Sequence, residues 1–548
     1  MKKALKNSEE LSEKDKKEKE IKECLVIFTA VEKGDNENSV KKLVENIKDI
    51  AKQVNAKKIV LYPYAHLSSN LSNPETATKI LQDTEKELKK NFDVARAPFG
   101  YYKEFEIKVK GHPLSELSRE IHSIEIKKDT EIYDYKQLLR QISKTKLDTS
   151  KLKDNDHRIL GQQMDLFSFS ETAPGMVFWH NNGLIIYNEL SNYWRELHRK
   201  EGYQEVSTPQ ILDKRLWQIS GHWEKYKDNI FLTKYEDREF AVKPMNCPGN
   251  ILIFKNKPKS YKDLPLRMGE LGIVHRQELS GVLGGLFRVI KFTQDDAHIF
   301  CTEKQLESEI GEVIKLIDTL YKKFNLAFDH VELSTRPEKR IGDEKLWDKA
   351  EKILEDVLKK KKMNYKINNG DGAFYGPKID FHIKDSLGRT WQCSTIQLDF
   401  AMPERFELEY TGEDNQKHRP VMIHRVVYGS LERFMGILLE HTNGRLPTWL
   451  APVQVKVIDF TDRNMKACEM FVKILEEENI RVETDFRQIP ISGKIREAEM
   501  QKIPYVIVIG DKEEKEKTVA VRSGKNIKSM KAEEFIKNIK REILERNN

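Results

Sequence analysis

The middle of the chain contains strand-like segments in which charged and polar residues recur at unusual density. They are REFAVKPMNCPG, ELGIVHRQE, FRVIKFTQDDAHIF and TWQCSTIQLDF, all within residues 238–400. Buried strands are usually apolar, because a polar group that leaves water without a partner costs free energy. Polar groups at this density therefore predict a sheet with one face that serves as a binding site.

The region before these segments indicates a small α/β domain over residues 1–140. Residues 1–23 are almost purely charged, which is typical of a solvated helix or a disordered tail. Residues 124–156 are polar and lysine-rich, and predict a helix followed by a linker at 141–156. The elements predicted in this domain are strands at Cys24–Val31, Lys58–Tyr64 and Tyr101–Val109 and a helix at Val40–Val54.

The last block, residues 448–548, alternates regularly between strand and helix patterns, which predicts a compact α/β domain with a mainly wound sheet. The central domain then spans residues 157–447. The predicted strands of the last block are Val453–Phe460, Arg481–Phe486, Tyr505–Gly510 and Thr518–Arg522, and the predicted helices are Arg463–Glu477, Lys494–Met500 and Ala532–Glu545.

Composition narrows the class of protein. The formal net charge of +7 is compatible with a polyanionic partner but is too small to demonstrate one. The five cysteines are odd in number and widely spaced, so they do not form a disulfide framework, and a reducing, cytoplasmic location is expected. No apolar run approaches the roughly 20 residues of a membrane helix, and the sequence contains no P-loop or dinucleotide glycine fingerprint.

The central domain resembles the class II aminoacyl-tRNA synthetases, whose core is an antiparallel sheet with three motifs. EGYQEVSTPQI with Pro209 looks like motif 1, the segment GIVHRQELSGVLGGLFRVIKFTQDDAHIF looks like motif 2, and GSLERFMGILLEH looks like motif 3. KPMNCPG, GHWEKY, FYGPKIDFHI, WQCSTIQLDF and VMIHR resemble the threonine-specific members in detail. The resemblance implies an ATP-dependent threonine–tRNA ligase that binds L-threonine, ATP and tRNA(Thr).

The resemblance also implies which residues bind ATP and threonine. Arg276 would stabilise the α-phosphate during attack, Arg288 and Arg433 would hold the terminal phosphates, and Mg²⁺ would accompany the nucleotide. Phe292 would stack on adenine and Glu278 would face its amino edge. The other residues implied to line the amino-acid and adenylate pocket are Met245, Gln294, Asp296, Tyr375 and Gln397.

A zinc site is implied at Cys247, His298 and His424, with one zinc ion per subunit. These residues are 51 and 126 positions apart (247 to 298, and 298 to 424), so no ligand-spacing rule detects them. A zinc ion would improve selection here, because an apolar pocket discriminates between near-isosteric valine and threonine by only about a hundredfold. Zinc that binds the threonine amino and hydroxyl groups would reject valine, with Asp296 accepting the hydroxyl proton.

Serine retains the hydroxyl and lacks only a methyl group, a difference of about 1–3 kcal/mol, so a second, hydrolytic site is expected. YPYAHLSS and APFGYYKEF resemble the editing domain of archaeal-type members, with pocket residues His66, Lys103 and Glu116. Relatives carry a strand before the segment ALKN, and here it is expected to be missing. Either the true start lies upstream or the domain is shortened.

Three further assignments rest on the resemblance alone. His222 would lie near the terminal ribose of the tRNA and move a proton, although helix capping or packing is an alternative. Glu513 and Arg522 match anticodon contacts in the last domain. The loop RQIPISGKIRE carries Gln488 where the family usually has asparagine, which leaves open the anticodon base that the loop reads.

Two rival functions compete with this interpretation, and one assembly is expected. The first rival is a catalytically degenerate RNA-binding paralogue, against which the retained Arg276, Arg433 and zinc ligands argue. The second is a class II enzyme for another amino acid, such as proline or serine, against which the zinc ligands together with Asp296 argue. A homodimer is expected through motif 1. The apolar face at residues 186–197 would suit either that interface or the core of its own domain.

Overall fold

The computed structural model describes residues 2–3, 9, 11, 17–68, 70–110, 116–121, 134–142, 150 and 152–547. It divides into two compact units, Met1–Tyr135 and Lys136–Asn548, and each is considered by itself. The segment ALKN at residues 4–7, most of the charged stretch before residue 17 and most of residues 122–149 lie outside the described residues. Within the described residues, no helix has both the length and the apolar character needed to span a bilayer.

The first unit is a three-stranded parallel sheet packed against two helices. Asn36 caps the first helix by accepting from the backbone N–H of Asn38, and Asn73 caps the second, which has Pro74 in its first turn. Val44 and Leu81 of the helices pack with Leu61 of the central strand in one apolar core. The elements are β1 Lys2–Lys3, β2 Cys24–Thr29, α1 Glu37–Gln53, β3 Lys58–Pro63, a 3₁₀ turn Ala65–Leu67, α2 Pro74–Leu88, β4 Asp93–Arg96 and β5 Tyr101–Tyr102.

The predicted strand at Tyr101–Val109 is wrong beyond its first two residues. Only β5 forms, pairing with β1, and the third strand of the main sheet is β4 instead. Phe105, Ile107 and Val109 alternate as in a strand, but they are 48%, 45% and 48% exposed. The Phe105 ring packs 5.0 Å from that of Tyr62, but no strand pairs with residues 103–109 among those described, and an alternating pattern forms a strand only where a neighbouring strand pairs with it.

The second unit is built on an eight-stranded sheet within residues 152–547, in the order β15-β14-β16-β17-β20-β13-β12-β8. Its inner pairs are antiparallel, as expected for a class II core, and the pairs at its two edges are parallel. The strands of this sheet are β8 Gln204–Glu205, β12 Leu266–His275, β13 Lys291–Cys301, β14 Ala327–Ser334, β15 Tyr365–Asn368, β16 Lys378–Lys384, β17 Thr390–Asp399 and β20 Val421–Ser430.

Helices pack on both faces of this sheet. Ile310, Leu354 and Phe434 belong to the larger core on one face, whereas Ile251, Phe254 and Met402 pack with Phe300 and Met422 on the other. The face formed by Ile186, Leu190, Tyr193, Trp194 and Leu197 is buried in the core of its own domain. This apolar face therefore packs in the core of its own domain, which was the alternative to a subunit interface. The helices are α3 Tyr135–Ile142, α4 His157–Gln163, α5 Asn181–Lys200, α6 Lys214–Ile219, α7 His222–Tyr226, α8 Cys247–Lys255, α9 Leu306–Lys323, α10 Glu344–Lys360, α11 Ala401–Arg405 and α12 Leu431–Thr442.

Short strands and 3₁₀ turns complete the central region. A three-stranded sheet of order β10-β11-β9 is formed by residues that precede α8 in the sequence. Two strand pairs, β6–β7 and β18–β19, form separate two-stranded sheets. These strands are β6 Phe167–Ser168, β7 Phe178–Trp179, β9 Ile211–Asp213, β10 Leu232–Tyr235, β11 Arg238–Val242, β18 Tyr410–Thr411 and β19 Lys417–His418. The 3₁₀ turns are Lys227–Asn229, Tyr261–Asp263, Ser280–Val282 and Glu303–Gln305.

The last hundred residues form a five-stranded mixed sheet of order β22-β21-β23-β24-β25 with helices packed on it. Every predicted element of this region is present, with shifts of at most three residues at its ends. The elements are β21 Val455–Asp459, a 3₁₀ turn Asp462–Asn464, α13 Met465–Glu477, β22 Val482–Asp485, α14 Ile491–Met500, β23 Tyr505–Ile509, α15 Asp511–Glu516, β24 Thr518–Ser523, β25 Asn526–Lys531 and α16 Ala532–Glu545.

Candidate active site

A cavity of about 430 Å³ lies on the face of the eight-stranded sheet that is opposite the larger core. With one exception, His222, it is lined by all the residues that the sequence assigned to catalysis, ATP, threonine and zinc. They are Met245, Cys247, Arg276, Glu278, Arg288, Phe292, Gln294, Asp296, His298, Tyr375, Gln397, His424 and Arg433. Residues distributed over almost 190 positions of sequence are thus brought to one concave surface, which is the usual form of a small-molecule site.

Cys247, His298 and His424 converge at one end of this cavity. His298 of β13 and His424 of β20 are directly paired across the antiparallel strands, and Cys247 is the first residue of α8. Their ligand atoms all lie within 4.8 Å of one another, and all three residues are buried. This set of one thiol and two imidazoles matches the preferences of zinc, and three protein ligands leave a coordination position open.

The electrostatics of this cluster also fit a metal. Both ring nitrogens of His298 are buried without a hydrogen-bond partner among the described residues. Burial raises the pKa of the Cys247 thiol well above its ordinary value and lowers that of His298 well below its own. A bound Zn²⁺ would supply the missing partner and would favour the thiolate. The residues therefore fit the ion that the resemblance implies.

Asp296 lies beside this cluster on β13 and is held by an amide. Its Oδ2 accepts from Nδ2 of Asn246 at 3.1 Å, and its Oδ1 is 3.7 Å from Nε2 of His298. Burial raises the pKa of Asp296 to about 6. Gly272 leaves room for the amide, because a Cβ there would come within 2.3 Å of the Asn246 Oδ1. A carboxylate poised in this way can accept a proton from a substrate hydroxyl.

Aromatic and amide groups form the wall next to His424. The Tyr375 ring centroid lies 4.8 Å from that of His424, and its hydroxyl donates to Oε1 of Gln397. Gln397 in turn is the residue directly opposite His424 in the β17–β20 pairing. This wall combines apolar area with a fixed polar group, as pockets for small polar substrates do.

Arginines surround the other end of the cavity. The Arg276 guanidinium lies 5.3 Å from the centroid of the Phe292 ring, and its Nε donates to the Pro244 carbonyl at 3.1 Å. Arg288 and Glu278 form an ion pair at 2.8 Å. The Nε of Arg433 is buried without a hydrogen-bond partner within the described part of the chain. Cations with unused or exchangeable donors beside an aromatic ring are suited to a nucleoside polyphosphate.

Two buried carboxylates hold the strands that carry these residues. Asp295 accepts the backbone N–H groups of Val427, Tyr428 and Gly429 at 2.8–3.0 Å, and burial raises its pKa to about 6. Glu432 accepts the backbone N–H of Thr293 at 2.9 Å, and burial raises its pKa to about 7. Both contacts join β13 to the β20–α12 segment that contains Arg433.

A buried ion pair supports the segment with Pro209. Nζ of Lys243 lies 2.8 Å from Glu270, and Thr208 donates both its backbone N–H and its hydroxyl to the same carboxylate. Asn250 donates to the other oxygen of Glu270 at 2.9 Å. This contact gives Asn250 a structural role beside the cluster of Cys247, His298 and His424.

His222 is the exception among the assigned residues. It begins α7 after Gly221, and its Nδ1 lies 2.8 Å from the hydroxyl oxygen of Ser220. Its Nε2 lies 2.7 Å from Sδ of Met245 and 3.9 Å from Sγ of Cys247. Burial lowers its pKa to about 3, which keeps the ring neutral. This environment favours the packing alternative over proton transfer.

In the first unit, Lys103 and His66 contact neighbouring aromatic rings. Nζ of Lys103 lies 5.0 Å from the Tyr62 ring centroid and donates to the Pro98 and Tyr101 carbonyls, and burial lowers its pKa. The exposed His66 ring is 5.6 Å from that of Tyr64. Glu116 is exposed in a bend, and no contact joins it to either residue among those described.

The residues assigned to the anticodon lie on the five-stranded sheet and its helices. The Glu513 carboxylate accepts the backbone N–H of Gly510 at 3.1 Å, so it caps the start of α15. Arg522 is half-buried on β24, opposite Val506 and Ile527. Gln488 is exposed and donates to Asp462 at 3.1 Å.

Sequence reasoning missed several residues that hold the site. Asn246 positions Asp296, Asp399 lies 2.9 Å from Nε2 of His424, and Gln392 lines the cavity next to Arg433. All three occur in segments that had been singled out, KPMNCPG and TWQCSTIQLDF. The available signal was their adjacency to assigned residues, but no spacing rule selects them.

Three family profiles match the chain. The profile described as "tRNA synthetase class II core domain (G, H, P, S and T)" matches residues 231–442. "Archaea-specific editing domain of threonyl-tRNA synthetase" matches residues 1–121, and "Anticodon binding domain" matches residues 451–542. These ranges follow the order of the three domains expected from the sequence.

Curated relatives and solved structures are similar over most of the chain. A threonine–tRNA ligase of Desulforamulus reducens is 58% identical over 393 residues, which cover 71% of this chain and 62% of that protein. One of Clostridium novyi is 51% identical over 441 residues, 80% and 68% of the two chains. The chain thus spans less than two thirds of the length of the first of these relatives.

The crystal structure of the RNA binding domain of threonyl-tRNA synthetase from Cryptosporidium parvum superposes with a TM-score of 0.68 at 39% identity, and the match covers 70% of this chain and 97% of that one. That of a putative threonyl-tRNA synthetase from Aeropyrum pernix gives 0.63 at 30% identity, covering 71% and 97%.

Proposed function

Because the chain belongs to the threonyl-tRNA synthetase family of the class II aminoacyl-tRNA synthetases, we propose that it activates L-threonine with ATP and transfers it to tRNA(Thr). The observation that carries this proposal is the single cavity in which the Cys247, His298 and His424 cluster shares one surface with Arg276 and Arg433. Side chains suited to a zinc ion that binds the amino and hydroxyl groups of threonine thus share a cavity with arginines suited to the phosphates of ATP.

Threonine selection is proposed at the zinc end of the cavity. Cys247, His298 and His424 would hold Zn²⁺, and three protein ligands would leave the ion able to accept the amino and hydroxyl groups of threonine. Asp296, fixed by Asn246, would accept the hydroxyl proton. Valine carries no hydroxyl, so it would leave these polar groups unpaired, and a site built in this way rejects such an analogue strongly.

Adenylate formation is proposed at the arginine end. The threonine carboxylate would attack the α-phosphorus of ATP, and magnesium pyrophosphate would leave. Arg276 would stabilise the charge that develops on the α-phosphate oxygens, while Arg288 and Arg433 hold the departing phosphates. Glu278 would have to exchange its ion pair with Arg288 for the adenine edge, with Phe292 as the stacking surface.

Transfer to tRNA would complete the reaction. A hydroxyl of the terminal ribose would attack the threonyl carbonyl, and AMP would leave. Residues 448–548 are proposed to bind the anticodon, with Glu513 and Arg522 as contacts, and residues 141–156 to link the first domain to the catalytic domain at 157–447. The match of an anticodon-binding profile to residues 451–542 supports this assignment.

A hydrolytic activity toward seryl-tRNA(Thr) is proposed for residues 1–140. Support comes from the editing-domain profile over residues 1–121 and from Lys103, an amine with a lowered pKa beside the Tyr62 ring. Such an amine could position or polarise a water near the seryl ester. His66 shares the neighbouring aromatic surface, and Glu116 stays a prediction from the resemblance.

Two properties of the whole molecule are proposed with the activity. All five cysteines are free thiols, which fits a reducing, cytoplasmic setting. A homodimer is expected from the family, although the apolar face of α5 is occupied within its own domain. Light scattering at micromolar concentration should give the mass of two chains, and an active monomer there would refute the dimer.

The proposed activation step is tested by threonine-dependent exchange of pyrophosphate into ATP. The wild-type chain should exchange with threonine and far less with valine. Cys247→Ala and His424→Ala should lose both bound zinc and exchange, whereas Arg419→Ala, an exposed arginine paired with Glu404, should retain both. Threonine-dependent exchange that persists in a zinc-free protein would contradict the proposed role of the cluster.

A further inference from the structure

A second group of metal-ligand side chains lies at the other end of the eight-stranded sheet. His330 of β14 and His382 of β16 are directly opposite in the antiparallel register, and their rings stack at 4.2 Å with an interplanar angle of 12°. Glu332 follows two residues after His330, so it projects on the same face of the sheet. The ligand atoms of the three residues all lie within 4.8 Å of one another.

The hydrogen bonds of His330 determine where its lone pair points. Nδ1 of His330 lies 2.7 Å from Oδ2 of Asp329. A carboxylate only accepts, so this nitrogen carries the proton, and Nε2 of the neutral ring presents its lone pair. That Nε2 lies 3.2 Å from Oε1 of Glu332, another acceptor. Two acceptors face each other at this distance, which is favourable only when a cation or an extra proton lies between them.

His382 brings a second imidazole nitrogen to the same carboxylate. Its Nε2 is 3.6 Å from Oε2 of Glu332, too long for a hydrogen bond. The nitrogen is buried and has no hydrogen-bond partner in the described part of the chain. An extra proton on His330 would satisfy the contact with Glu332 but would leave this nitrogen of His382 unpaired. A metal ion would satisfy all three groups.

The distances match the edges of a small coordination polyhedron. Zinc binds imidazole nitrogen and carboxylate oxygen at about 2.0–2.2 Å, and a regular tetrahedron then separates neighbouring ligands by about 3.3–3.6 Å. Nε2 of His330 lies 3.2 Å from Oε1 of Glu332, and Nε2 of His382 lies 3.6 Å from its other oxygen, Oε2. Both separations are near this range, so the two carboxylate oxygens each have one imidazole at a distance that a shared ion could bridge.

Outer contacts of the kind found around metal ligands are already present. Asp329 fixes the tautomer of His330, and Asn368 donates to Oε2 of Glu332 at 2.9 Å. Carboxylates that orient a ligating histidine and hydrogen bonds to a ligating carboxylate are typical of protein metal sites. Nζ of Lys384 lies 3.7 Å from Asp329, and within the described part of the chain no lysine or arginine forms an ion pair with Glu332.

A third cluster in the chain shows what an occupied hydrogen-bond network looks like. In the group Asp156, His157 and Glu440, Nδ1 of His157 lies 2.6 Å from Glu440, and its Nε2 accepts the backbone N–H of Leu286 at 2.9 Å. Both ring nitrogens are used, and Arg389 also pairs with Glu440. The imidazole has no lone pair left for a metal, so His157 is structural here, whereas His330 and His382 each keep a ring nitrogen without a hydrogen-bond donor beside it.

We propose that His330, Glu332 and His382 bind a divalent cation of the zinc class, separate from the cluster that contains Cys247. Two imidazoles and one carboxylate favour zinc, cobalt or nickel over magnesium, which prefers oxygen ligands. The three side chains are 24%, 22% and 17% exposed, so water completes the coordination. The ion would tie β14 to β16, and His382 is paired with Gln392, which lines the catalytic cavity.

The test is zinc stoichiometry in the full chain. Wild type, Cys247→Ser, His382→Asn and the double variant are loaded with Zn²⁺, freed of unbound metal and analysed for zinc. The expected contents are two, one, one and zero equivalents. His418→Asn is the matched control, because His418 forms an exposed pair with Asp414 at 2.9 Å without a second histidine, and it should keep two equivalents.

Cobalt spectra distinguish the two sites. The Cys247 site should give a thiolate-to-cobalt charge-transfer band, whereas the His330 site, which has no sulfur ligand, should give only visible d–d bands that vanish in His382→Asn. Glu332→Gln provides a second variant if His382→Asn unfolds by circular dichroism.

The outcomes separate this inference from the proposed function. One equivalent in wild type that is lost in Cys247→Ser would overturn the second site. One equivalent that survives Cys247→Ser and is lost in His382→Asn would uphold it, and would instead contradict the zinc proposed for the active site. Two equivalents in both His382→Asn and Glu332→Gln would also overturn it.

Discussion

The Asp399 carboxylate lies 2.9 Å from Nε2 of His424, and its other oxygen accepts the backbone N–H groups of Ala401 and Met402. The carboxylate is therefore held in one orientation, and it keeps the proton of His424 on Nε2. Nδ1 is then the nitrogen with a free lone pair. One buried acid thus selects the tautomer of His424 that can bind a metal.

Asp399→Asn should weaken zinc binding by about 10–100-fold, the usual scale for loss of such a supporting group. If the amide nitrogen of the new asparagine faces His424, it donates to Nε2 and places the ring proton on Nδ1, where the metal should bind. If it faces Ala401 and Met402 instead, its N–H groups meet their backbone N–H groups, and neither side can accept. A competition titration against a chelator measures the effect. Asp414→Asn, at the exposed pair with His418, should leave zinc affinity unchanged. Equal affinity in the Asp399 variant would show that this carboxylate does not orient His424.

Arg276→Ala should slow adenylate formation by about a hundredfold or more, the scale for removing one preorganised charge partner of a transition state. Binding of tRNA should change little, because Arg276 lies in the cavity beside Phe292. Single-turnover formation of threonyl-adenylate gives the rate, with Arg419→Ala as the control. A normal rate would show that the motif 2 assignment is wrong.

Glu432→Gln should change how stability depends on pH. Burial raises the pKa of Glu432 from 4.5 to about 7, so between these values the folded protein keeps a proton that the unfolded chain releases. The stability that this carboxyl group adds to the folded state is fully present below pH 4.5 and is lost as the pH rises through 7. Glutamine stays neutral and can still accept from the Thr293 N–H.

The free energy of unfolding of Glu432→Gln, relative to wild type, should therefore rise by roughly 1–3 kcal/mol between pH 5 and pH 8. Urea unfolding at the two pH values measures it, and exposed Glu476→Gln should show almost no such change. A difference between variant and wild type that is the same at both pH values would contradict a raised pKa.

Lys103→Ala should slow hydrolysis of seryl-tRNA(Thr) by about tenfold or more, if the amine positions water or the ester as proposed. Deacylation of pre-formed seryl-tRNA and threonyl-tRNA by the 548-residue chain is the measurement. Wild type should cleave the seryl ester and spare the threonyl ester, and the exposed Lys108→Ala should behave like wild type. If wild type and Lys103→Ala both match the uncatalysed rate, the domain is a remnant and serine must be cleared by another protein.

The sequence predicted elements well where apolar periodicity and burial agree. The helix Ala532–Glu545 of the last domain was predicted to the residue, and its Phe535 and Ile539 are buried. The helix Asp511–Glu516 was missed because DKEEKE has no apolar residue to mark a period. The helix Pro74–Leu88 was also missed, although Asn73 and Pro74 are an ordinary start signal.

The features that the sequence alone did not predict depend on which strands pair in the folded chain. The alternation from Phe105 to Val109 predicts a strand, but whether a strand forms depends on a neighbour that the pattern does not contain. The same limit applies to His330, Glu332 and His382, which are brought together only by the register of β14 and β16. Cys247, His298 and His424 were found through resemblance alone, because their spacing carries no signal.

The most direct test of the proposed activity is aminoacylation of purified tRNA by the full chain, with ATP, Mg²⁺ and a panel of amino acids. We expect tRNA(Thr) to be charged with threonine, valine to be rejected, and any seryl-tRNA(Thr) to be transient. tRNA for other amino acids should not be charged. Failure to charge tRNA(Thr) with threonine by a folded, zinc-containing protein, or preference for another amino acid, would contradict the account.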